Sequence, residues 1–213
     1  MTKEKCQPDL VVLVADKDME FSIKGVLERP EALGISQISV EIYTHIGRDP
    51  GCLNKGDNFL RAFVNKYRHA LIMLDREGCG REKESREMLE EEIEGRLSKS
   101  GWNDRAAAIV IDPELEAWLW SDSPEVDSVL GWKGKSPSLR SWLKEKEFFK
   151  EDSPKPLLPK NAVEEALKKV FRPRSASIYY QVAKSVSLKR CEDPAFLKLK
   201  EKLTQWFKKG IRI

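Results

Sequence analysis

The sequence predicts an α/β fold: a mostly parallel central sheet of about four strands with flanking helices, followed by a helical C-terminal part. Three apolar runs of strand length, residues 10–15, 70–74 and 106–111, lead into Asp16, Asp75 and Asp112. Near-continuous apolar runs of this kind are how strands buried on both faces of a parallel sheet read. The segments between them carry helical spacing and short connections, the alternation that builds such a sheet. In open α/β sheets the carboxyl ends of the strands border the binding crevice, so acids at these ends are predicted to converge on one edge.

After the first run, residues 18–27 are helical in spacing and Pro30 ends them. Residues 35–43 alternate, with Ile38, Val40 and Ile42 on one face, and predict a second strand; the turn-rich 45–51 predicts a loop at its end. Asp57 is the expected N-cap of a helix through Arg68, with Phe59, Leu60, Phe63, Val64 and Tyr67 as its buried face. The third run follows at once, and Gly78 and Gly80 punctuate the turn after it. Residues 81–97 predict a charged helix with Met88, Leu89, Ile93 and Leu97 as its apolar stripe and Glu90, Glu91, Glu92 and Glu94 as a solvated face. Beyond the fourth run the pattern becomes helical throughout. Pro113 is expected to open a helix through Trp120, and further helices are expected from Pro124 towards Gly131 and from Pro137 to Phe149. A proline-rich linker over 151–159 precedes a helix capped by Asn161, then helices over 175–186 and 194–207. Trp118, Trp120, Trp132 and Trp142 recur at helical spacings with leucines, which predicts core rather than base-stacking surfaces.

The net charge of +3 conceals a division. Residues 1–132 carry 17 Lys and Arg against 26 Asp and Glu, a balance of −9; residues 133–213 carry 21 against 9, a balance of +12. The expected organisation is therefore an α/β domain with an acidic metal site over 1–132, and a basic helical extension packed on it over 133–213. No apolar run approaches a membrane span, and no signal core follows the charged N-terminus. Cys6, Cys52, Cys79 and Cys191 are scattered without a CxxC pair, which suits a cytoplasmic, reducing setting and gives no zinc spacing. P-loop, Gly-x-Ser-x-Gly and HExxH patterns are absent, which argues against a built-in ATPase, a serine hydrolase and a zinc peptidase.

The acids at the strand ends carry the chemistry. Asp16 and Glu20 are four apart, Asp75 and Glu77 two apart, and Glu114 and Glu116 follow the fourth strand. Hard carboxylate oxygens from different loops suit Mg²⁺ or Mn²⁺, and such ions can hold a phosphodiester for in-line attack by water. Asp16, Glu20, Asp75 and Glu77 are the expected metal ligands, and Glu20, Asp75, Glu114 and Glu116 the expected catalytic groups. His45 is a further candidate base. Arg48 is expected to meet a phosphate, and Lys168, Lys169, Arg172, Arg174, Lys189 and Arg190 to face nucleic acid.

A strand ending in an acid with a second acid four positions on, then a later strand ending in acid–x–acid, resembles the TOPRIM domain, the metal-dependent module of topoisomerases, primases and OLD-type defence nucleases. The first motif would be Asp16-Lys17-Asp18-Met19-Glu20, with Asp16 and Lys17 where the family carries Glu-Gly, and the second Asp75-Arg76-Glu77. Residues 113–119, with Glu116-Ala117-Trp118-Leu119, resemble the Glu-x-Trp-Leu pattern of small TOPRIM-like proteins of prokaryotic phage-defence islands, including methylation-associated systems. Residues 172–175 and 191–197 are similar to the same group. The resemblance implies a Mg²⁺-dependent nuclease with nucleic acid and other defence-system proteins as partners. The alternative is a degenerate module that docks nucleic acid or partner proteins without catalysis. A receiver-like phospho-acceptor would need a lysine after a late strand, and the helical end offers no such strand.

Overall fold

The computed structural model describes residues 7–120, 123–150 and 153–209; Cys6 and the start of the expected linker at Glu151 lie outside these. The strands are β1 (Leu10–Val14), β2 (Val40–Thr44), β3 (His69–Asp75) and β4 (Ala106–Ile111). They form one all-parallel sheet in the order β2-β1-β3-β4. All of β1 and residues 70–74 of β3 are inaccessible to solvent, which is why these strands lack polar alternation. Edge strand β2 is only half-buried, with Glu41 exposed.

Helices α1 (Lys17–Leu27) and α2 (Pro30–Leu33) link β1 to β2, α3 (Arg48–Arg61) links β2 to β3, and α4 (Arg86–Leu97) links β3 to β4. The chain leaves β1 in one direction for β2 and returns past it to β3. Right-handed crossovers then put α1 on one face and α3 and α4 on the other. In keeping with this, α1 packs on β1 and β2, and α3 on β1, β3 and α4.

After a 3-10 turn over Leu115–Trp118 come α5 (Pro124–Val129), α6 (Leu139–Glu145), α7 (Pro159–Lys169), α8 (Ala176–Ser185) and α9 (Pro194–Phe207). These helices complete the core rather than decorate it, since one buried cluster runs through both halves of the chain. Helix α8 lies along α1 at Gly25, where a Cβ would stand 2.8 Å from Ala183 Cβ and 2.9 Å from the Tyr180 carbonyl oxygen. Arg29 donates to the carbonyls of Ala183 and Val186, both at 2.7 Å, closing the end of α8. Asp193 caps α9 through the N–H groups of Ala195 and Phe196 and accepts from Trp118 Nε1 at 2.9 Å and Lys155 Nζ at 2.6 Å. That buried carboxylate ties the turn after β4 to α9. Trp118, Trp120 and Trp132 are buried, each with its indole N–H bonded.

Several local expectations change. The helix expected from Asp57 begins at Arg48, because Pro50 in the first turn needs no N–H partner; Asp57 lies mid-helix, nearly buried, 3.4 Å from Arg96. Pro113 stands before a 3-10 turn rather than opening an α-helix, and Asn161 lies inside a helix that Pro159 starts. Met88 is exposed, and the acidic block on α4 is not a uniformly solvated face. Glu90 Oε1 accepts from Val110 N–H at 2.9 Å and Glu94 Oε1 from Ala108 N–H at 3.0 Å, so the two carboxylates bond the outer edge of β4. Arg86 and Lys198 neutralise them. An edge strand with free N–H groups templates aggregation, and two glutamates here occupy those donors.

Glu90→Ala is expected to cost about 3–5 kcal/mol, since it strips a buried charge from Arg86 and Lys198 and a buried N–H from its acceptor. Chemical denaturation of the variant beside wild type measures this, and a destabilisation below about 1 kcal/mol would remove Glu90 from the role of edge clamp.

Candidate functional site

The strand order reverses between β1 and β3, and a cavity of about 480 Å³ opens there, outside the carboxyl ends of the strands. Its depth follows from register. Val14 pairs with Met73, so Asp16 and Asp75, each two residues further on, leave the sheet at the same level. Asp75 in turn pairs with Ile111, and the segment that follows delivers Glu114 and Glu116 from the next strand. Asp16, Asp18, Asp49, Asp75, Glu77, Glu114 and Glu116 line the cavity, together with Arg48, Lys160 and Arg174.

Most of the acids also hold structure. Asp16 N-caps α1, accepting from Met19 N–H at 2.9 Å. Asp49, on the first turn of α3, accepts from Asp75 N–H at 2.8 Å. Glu114 accepts from Lys160 N–H at 2.9 Å and so caps α7 from a distance. Glu116 is 3% exposed, and its Oε1 accepts from Tyr179 Oη at 2.6 Å and Arg174 Nη2 at 2.9 Å. Asp75 differs: its Oδ1 is buried with no hydrogen-bond partner.

Several residues expected at the site lie elsewhere. Glu20 sits one turn down α1, where its carboxylate accepts from Lys17 and from Thr44 at the end of β2; it does not line the cavity. Asp112 turns outward to Arg76 at 2.9 Å. His45 accepts from Gly47 N–H, packs against Gly51 and Phe59, and does not line the cavity. Arg48 stands on the cavity lip with a left-handed backbone (φ 50). Of the basic residues, Arg174 is inside the acidic cavity, bridging Asp18, Glu116 and Glu164, instead of on an outer surface. Arg172 binds the Val129 carbonyl and Gln181. Lys168, Lys169, Lys189 and Arg190 are exposed. The sequence pattern does not single out Asp18, Asp49 and Lys160 as site residues. Asp49 follows a strand end as the others do, but residues 45–51 read as a loop rather than a helix start, which hides it.

Crowding of like charge sets the protonation. Burial pushes Asp75 well above the usual carboxylate range, and Asp49, Glu116, Asp16 and Glu114 push it further. Burial also raises Asp49 and Glu114, each partly offset by a backbone N–H. Burial acts to raise Glu20 as well, but the hydrogen bonds from Lys17 and Thr44 outweigh it and leave Glu20 lowered, the expected behaviour of an ion-paired acid outside the cluster.

The all-oxygen, carboxylate-rich donor set is that of a hard divalent ion, and the unpartnered Asp75 Oδ1 is an acceptor that such an ion would satisfy. Among the described residues, no three His, Cys, Asp or Glu side chains are gathered as a ready-made ion site. Arg174 already engages Asp18 and Glu116. The residues fit the ion in chemistry, and their side chains would have to turn to it. The molecule thus belongs to the class of open parallel α/β proteins with an acidic cleft at the topological switch point. No protein-family model matches the chain, and no curated protein or solved structure matches it. Among the described residues no helix is long and apolar enough to cross a membrane.

The raised Asp75 has a consequence for stability. Its unfolded counterpart ionises near 3.8, whereas the folded carboxyl holds its proton to higher pH. Stability is therefore fully present below the unfolded value and is lost as pH rises through the folded one. Asp75→Asn removes the ionisation and is expected to be more stable than wild type by about 1–3 kcal/mol at pH 8 in chelator. The gap should close towards pH 4. Denaturation at the two pH values measures it, and a gap independent of pH would show that Asp75 ionises freely.

Proposed function

We propose that the chain is a divalent-metal-dependent phosphoryl-transfer enzyme, a nuclease of TOPRIM-like type acting on nucleic acid in anti-phage defence. One observation carries the reading: carboxylates from three parallel strand ends share a cavity at the β1/β3 switch point with a buried, unpartnered Asp75 oxygen. Asp16, Asp75 and Glu77 would hold Mg²⁺ or Mn²⁺, with Asp49 in support and Asp18 and Glu116 available to the ion once Arg174 leaves them. When bound, the ion supplies positive charge to a phosphoryl oxygen and acidifies water.

The residues of the chain have separate tasks in this reading. Arg48 and Lys160, on the cavity wall, would meet the non-bridging oxygens of a phosphate. Glu114, raised by burial and holding the Lys160 N–H with one oxygen, is the candidate for taking a proton from water. Glu116 is occupied by Tyr179 and Arg174, so it is not the group that takes a proton from water. Lys168, Lys169, Lys189 and Arg190 would follow the nucleic-acid backbone. A second reading, a non-catalytic module that docks nucleic acid or other defence-system proteins, is favoured by one fact, the engagement of Asp18 and Glu116 by Arg174.

Cleavage of single- and double-stranded DNA and RNA in Mn²⁺ is the decisive assay. Asp75→Ala is expected to lower it about 100-fold or more, and EDTA to abolish it. Absence of cleavage alongside tight binding would favour the docking module. Charge reversal of Lys168 and Lys169 together should weaken binding alike for all sequences. It should also flatten the log–log salt dependence by about 0.7–0.9 in slope for each phosphate no longer neutralised. Filter binding at several salt concentrations measures this, and an unchanged slope would remove these lysines from the interface.

A further inference from the structure

Among the described residues, Arg174 is the only cavity-lining cation whose guanidinium bonds the cleft's own acids, and it comes from the helical half of the chain. Its Nη2 spends both hydrogens there, on Asp18 Oδ2 at 2.6 Å and Glu116 Oε1 at 2.9 Å, while Nη1 reaches Glu164 at 3.0 Å. Tyr179 donates to the same Glu116 oxygen at 2.6 Å and lies under the guanidinium, 5.6 Å from ring centre to Cζ. Glu116 is almost wholly buried, and Arg174 is the cation that it meets there. The Arg174 side chain keeps 31% of its surface, so it can be reached and displaced from solvent. It lies in the non-helical connection between α7 and α8, whose neighbouring Arg172 is anchored to the Val129 carbonyl.

We propose that Arg174 is a tethered cation that competes directly with the divalent ion for Asp18 and Glu116, so that the C-terminal helical part regulates metal loading. The inference rests on the metal reading above. Asp75 Oδ1, buried and without a partner on the same cavity, marks where an incoming ion gains an acceptor that Arg174 does not use. Binding of the ion would release the guanidinium, a flat five-donor group suited to phosphate, beside Arg48 and Lys160. The helical half would thereby couple ion entry to anion capture.

Titration calorimetry of Mn²⁺ into the full chain separates direct competition from diffuse charge. Lys160 lines the same cavity, but its hydrogen bond to Glu114 runs through the backbone N–H. K160Q thus removes one nearby charge and no carboxylate hydrogen bond. R174Q is expected to bind Mn²⁺ about tenfold more tightly than wild type, and K160Q to stay within about threefold. R174K keeps a positive charge beside Glu116 but cannot bridge Asp18 and Glu116 as Arg174 does, and should bind about threefold more tightly. In chelator R174Q should melt below wild type and recover on adding Mn²⁺. If wild type binds Mn²⁺ and neither R174Q nor R174K binds it more tightly than K160Q, Arg174 is not a competitor and the metal reading stands. If Mn²⁺ binds none of the proteins, both fail.

Discussion

Everything in this molecule follows from the need to cover two central strands on both faces. β1 and the 70–74 run of β3 are wholly apolar and wholly buried, so helices must lie above and below them. Parallel strands reach that arrangement only through right-handed crossovers, and the reversal of direction after β2 opens a crevice between β1 and β3. Residues just past the carboxyl ends of those strands have no other place to go. The depth of the cavity and the level at which Asp16 and Asp75 emerge are therefore consequences of strand pairing, set by the Val14–Met73 register.

Two different solutions to buried acid are visible side by side. On the outer edge of β4, Glu90 and Glu94 are fully engaged by backbone N–H groups, Arg86 and Lys198, so charge there stabilises the sheet. In the cleft, Asp75 has no donor for Oδ1 and sits among other carboxylates, so charge there opposes the fold. Strain of the second kind is characteristic of sites shaped for a ligand rather than for stability. Arg174 relieves part of it by holding Glu116 and Asp18, which makes the helical half a participant in the cleft's electrostatics.

The basic C-terminal half illustrates the limit of counting charge. A balance of +12 over residues 133–213 reads as one anion-binding surface, yet its cations have divided tasks. Lys155 and Lys198 serve buried acids, Arg172 binds a carbonyl, and Arg174 points into the acidic cavity. The rest of the charge is spread over the outside, with Lys168, Lys169, Lys189 and Arg190 exposed along with Lys133, Lys135, Lys144, Lys146, Lys184, Lys208 and Lys209.

Apolar runs and their periods were enough to read the parallel sheet, the order of strands and helices, the buried tryptophans and the acids at the ends of β1 and β3. Those features depend on local composition, which a strand buried on two faces cannot disguise. Helix starts were less legible at Arg48, Pro113 and Pro159, because proline and its neighbours serve equally as turn residues and first-turn residues. Partners across the chain could not be read at all. Glu20 and Asp18 are both near Asp16 in sequence, but only the direction in which α1 leaves β1 sends Glu20 to Thr44 and Asp18 to Arg174. Likewise Glu90 is one of four similar glutamates until β4 is laid beside α4, and Arg174 one of many surface cations until α8 packs against α1 at Gly25. Local spacing determines which face of an element is apolar; which side chains meet is decided by the packing of elements distant in sequence.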